Sequence, residues 1–378
     1  MNKYLKTISI ILLPVILMFT IIPIFAQGEK MGYTTYYFSD SGDNSVVTSS
    51  FNLAKQILGR TFFLLDIEVD NVTVPAITAV TGATRPQRQS NKPFKKTRGQ
   101  VILGIEQGID ATTTIAVSGY RSQEVDYVST SVIGTLSKDM FQKNTTLTLR
   151  GQYIDDQVGE IEDDGTITNK AKYSGWAAVN LSQLLSSTTV LDLSYDALYL
   201  EGFLSDPYRQ VRVFDANNTF TAVDEKHPDQ RVRQAATGRL KHYFTPIQAA
   251  IETSYRYYFD DWGVKSHTGE VQFNKYVFSD FIMMFNYRYY TQTGADFYFE
   301  KYVGVEYQND GFRTADYKLT PFNSNNFGIS LTYLLRGLSN SQDMEFLQNS
   351  SLELRYFRYY NNLDFSANIW QLNVNFSL

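Results

Sequence analysis

Val190-Leu191-Asp192-Leu193-Ser194-Tyr195-Asp196-Ala197-Leu198-Tyr199-Leu200 alternates apolar with polar side chains, and this alternation decides the fold. In an extended strand successive side chains point to opposite faces. Leu191, Leu193, Tyr195, Ala197 and Tyr199 therefore share one face, and Asp192, Ser194 and Asp196 the other. The pattern recurs along the chain. Phe63, Leu65, Ile67 and Val69 oppose Asp66, Glu68 and Asp70, and Phe281, Met283, Phe285, Tyr287 and Tyr289 oppose Asn286 and Arg288. The last segment sets Trp370, Leu372, Val374, Phe376 and Leu378 against Gln371, Asn373, Asn375 and Ser377.

Read throughout, the alternation predicts sixteen strands: 32–39, 45–57, 60–71, 97–107, 111–122, 125–136, 143–155, 173–185, 187–200, 230–243, 247–259, 264–276, 279–292, 325–337, 350–361 and 365–378. Fourteen and eighteen are the alternatives; Phe297–Val305 is itself strand-like, and a mis-assigned pair near 295–320 would also explain the long turn at 338–349. Short connections (Leu58-Gly59, Gly108–Asp110, Ser186, Thr245-Pro246, Val277-Phe278) alternate with long ones at 72–96, 156–172, 201–229 and 293–324. With the amino terminus in the periplasm, the long connections all fall outside the cell. The segment 338–349 breaks the rule as a long periplasmic turn.

The first 26 residues read as a cleaved secretory signal peptide, leaving 27–378 as the barrel: Lys3 and Lys6, an apolar run from Ile8 to Phe25, then Ala26. A retained helical anchor is the rival reading. Removing Lys3 and Lys6 leaves 32 basic against 39 acidic side chains, a net charge of −7, which disfavours nucleic acid as a partner. The chain has no cysteine, which excludes disulfides and thiolate metal sites. No later apolar run is long enough to cross a bilayer as a helix.

Alternation alone does not distinguish a barrel in lipid from a soluble one. The strands run to about twice the five or six residues usual in soluble proteins, enough for a tilted crossing. Aromatic placement adds to this. Tyr255-Arg256-Tyr257-Tyr258 and Tyr287-Arg288-Tyr289-Tyr290 recur, with Phe357-Arg358-Tyr359-Tyr360 a variant. Tyr255, Tyr257, Tyr287, Tyr289 and Tyr359 are expected at headgroup depth as an aromatic girdle. Leu352 and Leu354 conflict with that register for the third copy unless a bulge intervenes. Ordinary aromatics of a soluble sandwich and a sugar-binding platform are the other readings.

The polar faces carry Asp66, Glu68, Asp70, Asp192, Asp196, Arg231, Arg233, Arg239, Lys241, Arg256 and Arg288. An Arg or Lys facing mid-bilayer costs about 2–4 kcal/mol, so these charges are expected to line a lumen. They then either set a transverse field in a pore or pair with one another. His227, His242 and His267 have no nucleophilic serine in a recognisable setting, so no enzyme is expected. Glu160–Gly165 fails the calcium-loop pattern, since Ala171 stands where a bidentate glutamate is needed. No metal or cofactor is expected. Arg85, Arg88 and Arg98, with three lysines between them, make a basic outer loop able to meet lipopolysaccharide phosphates or to fold inward. Ser122, Glu124, Asp126 and Tyr127 straddle a tight outer connection, and their acids are expected to pair with Arg121 or with the basic stretch 85–98.

Thr81–Thr84 with Arg85 and Arg88, Arg98–Val101, Ser122–Ser129, Lys143–Thr146, Asp316–Leu319 and the tyrosine repeat together resemble an uncharacterised family of bacterial outer-membrane proteins, a domain of unknown function. The resemblance covers nearly the whole chain after residue 26. It implies an outer-membrane β-barrel with periplasmic redox proteins or small lipoproteins as partners, and it brings no catalytic residues. The chain ends in Leu378 where many such barrels end in an aromatic. The sequence thus predicts an all-β, antiparallel up-and-down transmembrane barrel in the outer membrane, in contact with bilayer and lipopolysaccharide. It is read as a pore for small hydrophilic solutes, or alternatively as a structural or partner-binding sleeve.

Overall fold

A computed structural model describes residues 29–74, 94–161, 166–338 and 342–377. The signal-peptide expectation (1–26), Arg85, Arg88, most of the Glu160–Gly165 loop and Leu378 lie outside the described residues.

Sixteen strands close into one antiparallel barrel. In chain order they are β1 (Lys30–Asp40), β2 (Ser45–Leu58), β3 (Thr61–Val74), β4 (Phe94–Gly108), β5 (Thr113–Gln123), β6 (Tyr127–Met140), β7 (Thr145–Ile161), β8 (Ile167–Ser186), β9 (Thr189–Gly202), β12 (Gln230–Phe244), β13 (Ala249–Asp260), β14 (Lys265–Phe278), β15 (Phe281–Gln292), β17 (Phe322–Leu334), β18 (Ser351–Asn361) and β19 (Ser366–Ser377). Each pairs with its sequence neighbour in the ring, and β1 closes on β19 from Lys30↔Ser377 to Asp40↔Ala367. Three short strands, β10 (Gln210–Phe214), β11 (Phe220–Asp224) and β16 (Tyr302–Val303), form a separate sheet from the two longest described connections. Phe297–Val305 contributes to that sheet rather than to the barrel.

Alternation explains the wall. Ile67, Leu103, Val117, Val132, Leu193, Val271, Phe285, Ile329 and Leu354 are large, apolar and exposed along its outer face. An outward apolar row left bare by the protein is what hydrocarbon covers. On β15 the outward row runs from Phe281, stacked on Tyr333 at 4.8 Å, to Tyr289. Eight residues cover about 27 Å of strand, or roughly 20 Å of bilayer at a tilt near 40°.

The two ends of the barrel differ. At one end two-residue turns join β2 to β3, β8 to β9 and β14 to β15, each beside a register irregularity. Gly59 supplies a left-handed φ of 54° at the first of these turns. At the other end lie the connections 203–229 and 293–321. The expected long loop 156–172 is corrected: β7 and β8 pair out to Ile161↔Ile167, leaving a tight hairpin. Polar residues such as Asn169 and Lys170 hide this extension, because the apolar–polar alternation lapses there.

Residues 335–338 and 342–350 lie at the short-turn end. Leu335, Phe346 and Leu347 pack with Met31, Tyr33, Val374 and Phe376, over the outward row where β1 meets β19.

Candidate functional site

Strand register assigns the inner face. On β3, Asp66, Glu68 and Asp70 alternate with outward Ile67 and Val69. Arg98 of β4 donates from Nε to Asp70 Oδ2 at 2.7 Å and from Nη2 to Glu68 Oε1 at 3.2 Å, while Asp66 forms no ion pair among the described residues. Around the ring β3 and β13 are eight strands apart in either direction, so they stand opposite each other. The facing wall carries the cations. Arg231 meets Asp260, Arg239 and Lys241 share Glu252 at 3.0 and 3.1 Å, and Arg256 lies 3.6 Å from Asp196. Asp192 stands opposite Arg239 in register. Arg233 is half-buried with its Nε unpartnered, and Arg288 is exposed. Much of each row is thus locally paired. The β3 wall nevertheless keeps an excess of acid and the β12–β15 wall an excess of base. The side chains of Arg239 and Arg256 remain 44 and 42 % exposed although they point inward, so this stretch of the interior is open space rather than packed core.

At the outer end, the predicted mouth residues come together. Lys96 bridges Glu124 and Asp126, the latter at 2.6 Å. The pairing is therefore with the basic stretch, whereas Arg121 faces outward and donates to Thr130. Lys172 of β8 joins Asp156 Oδ2 at 2.8 Å and the Tyr127 hydroxyl at 3.0 Å. Ser122 is buried on the same wall.

A strap crosses the mouth from this cluster. The Tyr208 hydroxyl donates to Asp126 Oδ2 at 2.9 Å. Its neighbour Arg209 pairs with Asp316 at 3.2 Å, and Tyr317 stacks on Phe365 of the β18–β19 turn at 6.5 Å. Asp126 and Phe365 belong to turns six strands apart around the sixteen-strand ring. Glu225 anchors the strap: it accepts from Thr314 Oγ1 at 2.6 Å and from the Ala315 amide, and pairs with Arg209 at 3.3 Å. Burial alone would raise the Glu225 pKa. The His227 contact, the Arg209 charge and the Thr314 hydrogen bond outweigh it and hold the carboxyl at about 2. His227 sits edge-on to Trp262, with Nδ1 3.0 Å from the Leu204 carbonyl and Nε2 3.3 Å from Glu225, off the direction of a good hydrogen bond. Trp262, Val264, Ala295 and Leu319 form the cap's apolar core, with the Arg231 guanidinium 4.1 Å from the Trp262 ring centre.

Tyr255, Tyr287 and Tyr289 are exposed on the outer face near the mouth, and Tyr257 shares their row. The Tyr255 hydroxyl meets His267 Nδ1 at 2.6 Å. Tyr359 is a correction. The β18 register runs without a bulge from Leu352, so Tyr356, Arg358 and Tyr360 face out while Phe357 and Tyr359 face in. Gly328 makes the room: a Cβ there would collide with the Phe357 ring. Trp176, paired with Gln152 and Leu198, also faces inward and was not expected in the lumen.

The profile of a family described as "Protein of unknown function (DUF3570)" matches residues 75–176 and 160–377. No curated protein matches the chain by sequence. Among solved structures, it is similar to a BenF-like porin from Pseudomonas fluorescens Pf-5 (9 % identity, 93 % of this chain and 99 % of that one, TM-score 0.46). It is similar also to Pseudomonas aeruginosa OpdK with vanillate (7 %, 93 % and 98 %, 0.46) and to the CymD monoaromatic hydrocarbon channel (8 %, 94 % and 89 %, 0.44).

Proposed function

For a chain that belongs to the family described as Protein of unknown function (DUF3570), we propose an aqueous outer-membrane pore for small hydrophilic solutes. One observation carries the reading. Inward-pointing Arg239 and Arg256 stay exposed within the wall while the opposite face of the same strands is apolar and bare. Sixteen strands enclose enough space for water. The acidic β3 wall and the basic β12–β15 wall supply a field across the path, which orients dipolar solutes and sorts charged ones. The outward tyrosine row seats the barrel in the outer leaflet, against lipopolysaccharide. No catalytic step is assigned.

The strap favours a second reading, a closed barrel that serves as a sleeve for a periplasmic protein or lipoprotein, because Tyr208 and Arg209 bridge the opening. Conductance decides between them. Pure protein in planar bilayers should give discrete steps in potassium chloride, and Asp66→Asn with Glu68→Gln should lower cation preference. A silent barrel that purifies with a stoichiometric partner would replace the pore with the sleeve.

A further inference from the structure

His227 lies inside the cap with its side chain 5 % exposed. Its ring packs against Trp262 and Phe297, 5.1 and 5.5 Å away centre to centre. Nδ1 stands 3.0 Å from the Leu204 carbonyl oxygen, which can only accept, so Nδ1 carries a hydrogen. In the neutral ring Nε2 then holds a bare lone pair. That atom is buried, meets no hydrogen-bond donor among the described residues, and faces Glu225 Oε1 at 3.3 Å. Two acceptors confront each other across a dry contact, which is costly. A second proton reverses the contact: Nδ1 keeps its bond to Leu204, and Nε2 presents a charged N–H to the carboxylate. The approach is off the ideal direction, so the gain is mainly Coulombic. Imidazole is the side chain that changes charge between pH 5 and 8.

The surrounding charges act in the same direction. Asp206, Glu225 and Asp316 share the guanidinium of Arg209 at 3.3, 3.3 and 3.2 Å, three carboxylates against one cation. Beyond Trp262, Arg231 is matched by Asp260. Asp296 lies over Gly263, and Lys226 turns away to Asp310 at 3.0 Å. A cation at His227 therefore meets an excess of negative charge. The groups it joins belong to both long connections: Leu204 and Glu225 to 203–229, and Thr314 and Ala315, which donate to the Glu225 carboxylate, to 293–321. We propose that His227 is a proton-operated latch, whose protonation at Nε2 ties the two connections together and makes the cap grip the mouth more tightly in mildly acid medium than at pH 8. Its effect on passage rests on the pore reading.

The test uses the protein refolded in detergent micelles with nitrogen-15 in its histidine rings. At pH 8 the His227 signals, identified by their loss in His227→Gln, should show a hydrogen on Nδ1 and none on Nε2. Amide exchange over 203–229 and 293–321, corrected for the intrinsic effect of pH, should be about tenfold slower at pH 5.5 than at pH 8, the scale of one buried charge contact, while β7 stays unchanged. His227→Gln and His227→Phe, each checked for heat-modifiable migration on a gel, cannot take up the proton and should exchange alike at the two pH values. A bare Nδ1 at pH 8, a cap that exchanges equally or faster at pH 5.5, or a pH effect that survives in both variants would overturn the latch. Current in planar bilayers is measured separately and should fall from pH 8 to 5.5 in the parent but not in the variants. A conducting barrel whose cap exchange ignores pH removes the latch alone. A silent barrel whose cap still tightens removes the pore alone, and a current indifferent to a tightened cap removes its control of passage.

Discussion

Placing arginine at Val271 and, separately, at its neighbour Gln272 tests the orientation of the wall. Both residues sit midway along β14, which runs from Lys265 to Phe278. Val271 is 47 % exposed on the outer face, opposite Thr253 and Tyr287, whereas Gln272 stands opposite Glu252 and Asn286 on the inner face. If hydrocarbon touches Val271, an arginine there costs about 2–4 kcal/mol, a roughly 30- to 900-fold shift in the folding equilibrium. Gln272→Arg puts its charge in water beside Glu252 and should stay within about 0.5 kcal/mol of the parent. Were the outer face in water, an arginine at so exposed a valine would be nearly neutral. The assay is urea titration of protein refolded into phosphatidylcholine vesicles, followed by tryptophan emission. Equal tolerance of the two variants, or a greater loss at Gln272, would refute the assignment of faces.

Asp260 has a fully buried side chain and accepts from Arg231 Nε at 3.0 Å, the Tyr258 hydroxyl at 2.6 Å and the Trp262 and Val264 amides. Asp260→Ala strands the Arg231 charge and should cost about 3–5 kcal/mol in the same titration, and a loss below about 1 kcal/mol would contradict the buried pairing. Glu225 is held at about 2 against an ordinary 4.5, so its contribution to the cap is complete above pH 4.5 and is lost as pH falls through 2. Pepsin cleavage within 203–229 and 293–321 should therefore rise steeply across that window in the parent and stay high throughout in Glu225→Gln, while a cap still protected at pH 2 would show that this carboxylate does not hold it.

Each predicted strand segment corresponds to a barrel strand, because a closed wall with apolar side chains outside and charged ones inside repeats the same apolar–polar contrast on every strand. Where the contrast lapses, reading fails. The tops of β7 and β8 lack it, and their sequence reads as loop. The sheet of β10, β11 and β16 pairs Val213 with Tyr302 across a long stretch of chain, and its two- and five-residue strands are too short for any period to register. Among site residues, Asp66, Glu68 and Asp70 were legible as one face of a strand. The Lys96–Asp126 link was legible only as a basic stretch near an acidic turn, and the Tyr208 bridge depended on loop geometry that local sequence does not encode. For Tyr359 the repeated motif and the register set by Leu352 and Leu354 point to opposite faces, and the register decides. Gly328, whose missing side chain admits Phe357 to the interior, was the available clue.

A ring folded from a single chain has one joint where its two ends meet without a covalent link between them, and such a joint is where unzipping would naturally begin. Here Leu335, Phe346 and Leu347 lie across it, shielding Met31, Tyr33, Val374 and Phe376 together. Fraying at either terminus must first lift this clasp, whose residues come from the connection before the last two strands. The first strand of the chain therefore acquires its full set of contacts only after the last third has been made, and the closed ring presents no loose border to a neighbouring molecule.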